Sequence, residues 1–253
     1  MKIVVIGGTG TVGSKIVAHL EALGHEALAA SPGTGVDTIT GAGLAQALAG
    51  ADAVVDAANA PVWTDDEVLA FFTTSTGNAL AAAATAGVRH YVLVSIVGSG
   101  ALTDSGYLRA KVAQEELIAN GPLPWSIVHV TQFFEFAGMM GSIGAEAGEA
   151  RVPDTLVQPI AADDAGRAIA ETAAGTPVGA VEVAGPEPMA YAAFITAALE
   201  AAGDERPVIV DSTLDYFGAN PGERHLIPAE GSSPHLGTQR VADWLAAAAS
   251  VRS

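Results

Sequence analysis

The stretch that decides the fold is "KIVVIGGTGTVGSKIVAHL", running from Lys2 to Leu20. Ile3 to Ile6 form an unbroken apolar run, the pattern of a strand covered on both faces. Gly7, Gly10 and Gly13 follow, and then Ile16, Val17, Leu20 and Leu23 recur at helical spacing. A strand, a glycine-rich turn and an amphipathic helix in that order make a seat for a pyrophosphate. The first N–H groups of such a helix lack intrahelical acceptors and turn toward an anion. Gly7 permits the sharp exit from the strand, Gly10 lets the backbone approach phosphate, and Gly13 lets the helix pack close to the sheet.

Outward from this unit the two periods keep alternating. "HEALAAS" reads as a second strand, "GLAQALAG" as a short helix and "ADAVVDAAN" as a third strand. A helix from Asp65 to Ala86 ends at Gly87, and "RHYVLVS" makes the fourth strand. "GYLRAKVAQEELIANG" is a helix stopped by Gly121, and "PWSIVHV" is the fifth strand. Strand–helix alternation with short connections predicts an α/β fold, a Rossmann-type doubly wound parallel sheet.

After Thr131 the rhythm changes: "FFEFAGMMGSIGAEAGEA" is apolar and broken by glycine. "LVQPIAADDAGRAIAETAAG" reads as a strand, a turn and a helix capped by Asp163 or Asp164. "AVEVAGPEPM" adds a strand and "AYAAFITAALEAAG" a helix, and "TQRVADWLAAAA" closes the chain as a helix burying Trp244 and Leu245. Between them, Asp211 to Gly237 is rich in Gly, Pro and Ser and reads as a surface loop or lid. The expected organisation is one compact unit: residues 1–131 as a dinucleotide-binding core, and 132–253 as a smaller substrate-side lobe with strands returning to the core.

Composition narrows the function classes. Of 253 residues half are hydrophobic, and 28 acidic residues against 11 basic give a formal charge of −17. That balance repels nucleic acid and anionic membrane, so neither is an expected partner. An anionic ligand must be held by local devices such as backbone N–H groups. The absence of cysteine excludes disulfides, thiolate metal sites and a cysteine nucleophile, and the histidines show no metal-ligand spacing, so no metal is expected. The start of the chain is unlike a secretory signal and no apolar run reaches membrane-spanning length, so the expected location is the cytoplasm.

"GYLRAK" sets Tyr107 and Lys111 four residues apart on one helical face. A phenol ordinarily titrates near ~10, and a neighbouring ammonium is expected to lower that value. Ser95, at the end of the fourth strand, adds a donor for a carbonyl oxygen. Strand ends are where open α/β sheets bind ligands. At the end of the second strand, "LAASPGTG" offers neither the acid that holds a ribose in NAD sites nor an arginine. The missing carboxylate removes a repulsion against a 2′-phosphate, to which Ser31 can donate. NADP is therefore expected over NAD.

Taken in order, "GGTGTVG", "STGNALAAAATAGVRHYVLVS", "GYLRAKVAQEELI" and "WSIVHVTQFFEF" resemble the atypical short-chain dehydrogenase/reductase superfamily, most closely its NmrA-like NAD(P)-binding branch. "QPIAADDAGRAIAE" and "VEVAGPEPM" are similar to that branch too. The resemblance implies that Gly7, Gly10 and Gly13, with Thr9, Thr11 and Val12, hold the pyrophosphate, and that Asn59 lines the adenine and ribose side. It implies that Lys111 binds the nicotinamide ribose and tunes Tyr107, the proton donor, while Ser95 polarises the substrate oxygen. Thr131 would border the nicotinamide, and Gln132, Phe133 and Phe134 would begin the substrate pocket, where the aromatic cluster with Phe136 offers a wall for an apolar substrate.

The serine of that superfamily often lies a residue or two further on, where this chain has Ile96 and Val97, so Ser99 is a possible substitute. The implied function is an NAD(P)H-dependent oxidoreductase acting on a carbonyl, quinone or enone-type small molecule. Two alternatives stay open on the same fold: a non-catalytic NAD(P)-binding redox sensor that docks a protein partner, and a cofactor-independent enzyme. The substrate and the oligomeric state are not encoded in any pattern here.

Overall fold

The structure is a computed structural model that describes residues 1–143, 145–146 and 148–250. Its strands are β1 (Lys2–Ile6), β2 (Glu26–Ala30), β3 (Ala53–Asp56), β4 (His90–Ile96), β5 (Trp125–Val130), β6 (Ala145–Glu146), β7 (Glu149–Val152), β8 (Leu156–Val157), β9 (Gly179–Ala184), β10 (Met189–Ala190), β11 (Val208–Val210) and β12 (His235–Leu236). Its helices are α1 (Thr11–Ala22), α2 (Leu44–Leu48), α3 (Asp65–Ala86), α4 (Gly106–Ala119), α5 (Ala137–Ile143), α6 (Ala162–Ala174), α7 (Tyr191–Ala202) and α8 (Val241–Ser250).

Seven strands pair in the order β12-β9-β5-β4-β3-β1-β2, every pair parallel, which is the expected Rossmann-type α/β sheet. Alternate residues of β1 enter opposite layers. Val4 and Ile6 pack with Leu44 and Leu48 of α2, Ala79 and Ala83 of α3 and Ile118 of α4. Ile3 and Val5 pack with Ile16 and Leu20 of α1 and Ile169 of α6 on the other face. Two covered faces explain why these strands are apolar throughout rather than alternating. The chain leaves β1 for β2 on one side and returns to β3 on the other, so strand order reverses at β1. Ligands of open α/β sheets bind in the crevice at such a point.

Among the described residues one strand, β2, lies on the side of β1 away from β3. The segment after Ala30, "SPGTGVDTITGAG", carries too many glycines and too little apolar periodicity to add another strand.

A second apolar cluster lies beyond β5. Phe134 is fully buried there with Phe194, Ile195, Tyr191, Tyr216 and Leu226, its ring centroid 5.5 Å from that of Trp244. Helices α5, α7 and α8 and the β6-β7-β11 sheet surround this cluster, while α6, β9 and β12 return to the main sheet. Gly144 and Ala147, inside the glycine-broken stretch after Thr131, and residues 251–253 lie outside the described residues.

Three local expectations are corrected. Leu23 is exposed instead of joining the α1 apolar face, because α1 ends at Ala22 and Gly24 turns the chain away at φ 82°. Neither Asp163 nor Asp164 caps α6: its N-cap is Ala161, and the Glu135 carboxylate accepts from the Ala162 N–H at 3.0 Å. Asp164 instead points away and accepts from the N–H groups of Thr238 and Gln239 at 2.6 and 2.8 Å, tethering the chain ahead of α8. Trp244 and Leu245 are half-buried, since α8 lies on the outside of the second cluster.

Deleting the Phe134 ring leaves a cavity between α7 and α8. Phe134→Ala is expected to cost about 3–5 kcal/mol in urea unfolding. A loss below ~1 kcal/mol would contradict the burial on which that range rests.

Candidate active site

A cleft of about 540 Å³ opens at the carboxyl ends of β1, β3, β4 and β5. The glycine loop forms one end. Gly7 adopts φ 74°, a left-handed conformation that side chains avoid, and a Cβ there would sit 2.7 Å from the Ala57 carbonyl oxygen on the neighbouring strand's exit. A Cβ on Gly13 would meet the Gly7 carbonyl oxygen at 2.1 Å. Helix α1 therefore starts in direct contact with the loop that feeds it. Gly10 is its N-cap and no side chain caps it, so its first N–H groups face the cleft mouth unclaimed.

Of the residues expected to bind cofactor, Gly7, Thr9, Gly10, Thr11, Val12, Gly13, Ser31, Asn59, Lys111 and Thr131 all line this one cleft. Ser31, at the end of β2, is 8% exposed and its hydroxyl has no partner. The Thr131 hydroxyl donates to the Gln158 carbonyl at 2.6 Å, so only its backbone and methyl face outward.

Tyr107 sits where the loop end meets an aromatic end. Its hydroxyl donates to Asn59 Oδ1 at 2.9 Å, and its ring lies 5.7 Å from Phe217 and 6.1 Å from Trp63. Phe217 and Trp63 stack within 9° of parallel. Phe71, Phe133, Phe136, Met139 and Met140 continue this wall.

The expected coupling of lysine to tyrosine is corrected. Burial pushes the Tyr107 phenol up to about 12, the Asn59 hydrogen bond opposing it, and Lys111 does not act on it. Lys111 points elsewhere: its ammonium donates to the Val94 carbonyl at 3.0 Å and to Gln114 Oε1 at 2.5 Å, above the Phe72 ring. Burial lowers it from 10.5 to about 8, with the charges of Asp56 and Glu115 pulling the other way. Asp56 is itself buried beneath the cleft, where it accepts from Tyr91 Oη at 3.0 Å and Gln114 Nε2 at 3.4 Å. Desolvation raises its carboxyl, against the charge of Lys111.

Ser95 is corrected too. It borders the cleft, but its hydroxyl donates to Glu115 in a very short bond, and Ser99 donates to the same carboxylate oxygen at 3.2 Å. His129 Nε2 lies 3.1 Å from the other Glu115 oxygen. Burial pushes Glu115 up, yet the hydrogen bonds of His129 and Ser95 and the charges of His129 and Lys111 leave it below its ordinary value. To serve a substrate carbonyl the Ser95 hydroxyl would have to rotate away from this carboxylate. Phe134 does not line the pocket at all; it is a core residue, whereas Gln132 and Phe133 do line it.

The family model described as NAD(P)H-binding matches residues 7–174, which takes in the glycine loop, Asn59, Tyr107 and Lys111. The chain belongs to the NAD(P)H-binding family. The resemblance to short-chain dehydrogenases and reductases holds at the level of fold. A dTDP-4-dehydrorhamnose reductase from Clostridium acetobutylicum superposes with a TM-score of 0.76 at 15% identity, over 100% of both chains. A UDP-glucose 4-epimerase from Thermus thermophilus, solved with NAD, superposes at 0.72 with 19% identity, over 99% of each chain. A short-chain dehydrogenase/reductase superfamily protein from Agrobacterium tumefaciens, solved with bound NAD, gives 0.69 at 18% identity over 100% of this chain and 97% of that one. At such identities the likeness is one of fold. None of the curated proteins matches the chain by sequence.

In this NAD(P)H-binding chain the residues fit the dinucleotide the family name implies: unclaimed amides at α1, an orphan hydroxyl at Ser31, and a cradle that a Cβ at Gly7 or Gly13 would fill. Asp37, Trp63, Tyr216 and Phe217 also line the cleft and were missed in the sequence, because loops without periodicity deliver them. The Asp37 carboxylate is held below its ordinary value by the N–H groups of Thr40 and Ile39. Among the described residues no cluster of His, Cys, Asp or Glu is built to hold a metal ion, and no helix is long and apolar enough to cross a membrane.

The depressed lysine has a signature in stability. Between about pH 8 and 10.5 the unfolded chain holds a proton at Lys111 that the folded chain has released, so this residue makes stability rise with pH across that window. Urea midpoints at pH 7.5 and 10 should show this rise in the parent relative to Lys111→Met. Equal pH slopes in the two would refute the assignment.

Proposed function

We propose that the protein is an NADPH-dependent reductase of flat, apolar carbonyl compounds of the quinone or enone type. The observation that carries this reading is the position of Tyr107, whose phenol stands at the junction of the glycine-loop end and the aromatic end of one cleft.

A dinucleotide held in this cleft would supply hydride. The chain's own residues supply the rest. The backbone of Gly7 to Gly13 and the N-terminus of α1 hold the pyrophosphate, which matters in a chain of net charge −17, where the overall field opposes an anion. Ser31 offers its free hydroxyl to the 2′-phosphate, the basis for NADPH over NADH. Lys111 and Thr131, which line the cleft, would border the nicotinamide ribose and ring.

Tyr107 is the proton donor. Its O–H rotates from Asn59 Oδ1 to the substrate oxygen, and Asn59 keeps the phenol oriented until then. A phenol raised to about 12 stays protonated across the working range, so it meets substrate as a neutral acid. Because Ser95 and Ser99 donate to Glu115, the substrate oxygen relies on Tyr107 without a serine. Trp63, Phe133, Phe136 and Phe217 suit a planar ring, since aromatic walls favour stacked and edge-on contacts.

The same commitment of both serines to Glu115 favours a second reading, a dinucleotide sensor without turnover. NADPH oxidation with a panel of quinones and enones separates the two.

Tyr107→Phe should lower turnover about 10²–10⁴-fold, the usual range for a general acid. The NADPH dissociation constant should stay within about twofold, because the phenol is assigned to substrate and not to the pyrophosphate seat. Turnover at the parent rate would remove Tyr107 from the mechanism.

A further inference from the structure

Gln132 is the first residue past the Thr131 turn at the end of β5, and its backbone carbonyl is taken by the Ile160 N–H at 2.8 Å. Its side chain lines the cleft at 4% exposure, and neither Nε2 nor Oε1 has a hydrogen-bond partner. A buried donor and a buried acceptor left unmade on one side chain each carry an uncompensated desolvation cost. The Tyr216 phenol, also lining the cleft, lies close enough to this amide to be influenced by it. Burial pushes that phenol up, with the Gln132 amide opposing it, so Tyr216 presents a neutral O–H.

Two unmet groups, an amide N–H and an amide oxygen, thus stand beside a phenol O–H at the aromatic end. A simple ketone satisfies the two donors and leaves Oε1 bare. A carboxamide satisfies all three, its oxygen accepting from Nε2 and Oη while its N–H donates to Oε1.

We propose that Gln132 and Tyr216 read a donor–acceptor edge on the substrate, a carbonyl oxygen with an N–H or O–H on the adjoining atom, as in a carboxamide or lactam. This deepens the reductase reading and rests on it for the identity of the pocket. The edge is a recognition element held apart from the reacting carbonyl, which belongs to Tyr107. Gln132 and Tyr216 are therefore specificity residues. The cost of leaving a buried polar group unpaired is what makes such a site selective: a ligand lacking the matching group loses far more than a ligand lacking a methylene.

The test is a binding titration on the full chain saturated with NADP⁺, using 2-naphthamide and 2-acetylnaphthalene. These two differ by NH₂ against CH₃ on one flat ring system. The parent should bind the amide at least about tenfold more tightly, the effect of one buried hydrogen bond made against left unmade. Gln132→Leu should bring the two affinities within twofold, and Tyr216→Phe should weaken the amide while leaving the ketone's relative loss smaller. The urea midpoint of Gln132→Leu should equal or exceed the parent's, because the variant removes two unpaired polar atoms from the interior.

Equal affinities in the parent, or no binding of either compound at millimolar concentration, would overturn the inference. A lowered urea midpoint in Gln132→Leu would overturn it by making the amide a structural strut. A tenfold loss of NADPH affinity in that variant would also overturn it, by giving the amide to the cofactor's own carboxamide. Failure of the reductase reading looks different: NADPH oxidation is absent with every quinone and enone, while the preference for amide over ketone persists.

Discussion

The contact between Gly13 and the Gly7 carbonyl governs the rest of the molecule. With no Cβ at position 13, the first turn of α1 rests on the loop that leaves β1, where a methyl group would lie 2.1 Å from the Gly7 oxygen. That closeness aims the free N–H groups of α1 into the crevice between β1 and β3, the point at which strand order reverses. Moving the helix out to accommodate a side chain would separate those amides from the strand ends that carry Asn59, Ser95 and Thr131. One backbone contact thus aligns the anion seat with the chemistry beside it.

The polar groups under the cleft are held by one another. Lys111 is 3% exposed, with its countercharge Asp56 buried behind Gln114 and no direct ion pair between the two. Such an arrangement costs desolvation at both ends, and removing one partner would leave the other charge uncompensated. Glu115, one turn further along α4, draws Ser95, Ser99 and His129 into a separate cluster. The outcome is that Tyr107 and Asn59 face the cleft without a competing donor from β4, while the lysine stays fixed by Val94 and Gln114 beneath them.

Much of this was legible in local spacing. The glycine loop and the strand–helix alternation depend on residues near each other in the chain, where period and turn chemistry carry information. Which atom a side chain engages is a tertiary matter. Glu115 lies four residues past Lys111 on α4, but its bond to Ser95 joins a helix to a strand 20 residues away and leaves no trace in helical spacing. No spacing marks Trp63, Tyr216 or Phe217 either, which loops bring to the cleft. Phe134 misled for a simpler reason: adjacent aromatics on a short turn point in different directions, and Phe133 took the cleft while Phe134 took the core. Asp164 misled because an acid at a helix start is equally able to bind backbone N–H groups from elsewhere, here those of Thr238 and Gln239.

Charge explains why the two ends of the cleft are built so differently. Among the described residues lining it Lys111 is the one cation and Asp37 the one anion, in a chain of net charge −17. Phosphates arriving here gain little from the protein's field and depend on fixed dipoles, the amides of the loop and the roughly +0.5 charge at the N-terminus of α1. Those dipoles are backbone and do not vary with side-chain substitution, so the loop end recognises a common cofactor. The other end is side chain throughout, with rings from Trp63, Phe133, Phe136 and Phe217 and the unpaired amide of Gln132. Under the proposed reductase function, discrimination among substrates would belong there, where every contact is set by a residue that a single substitution can change.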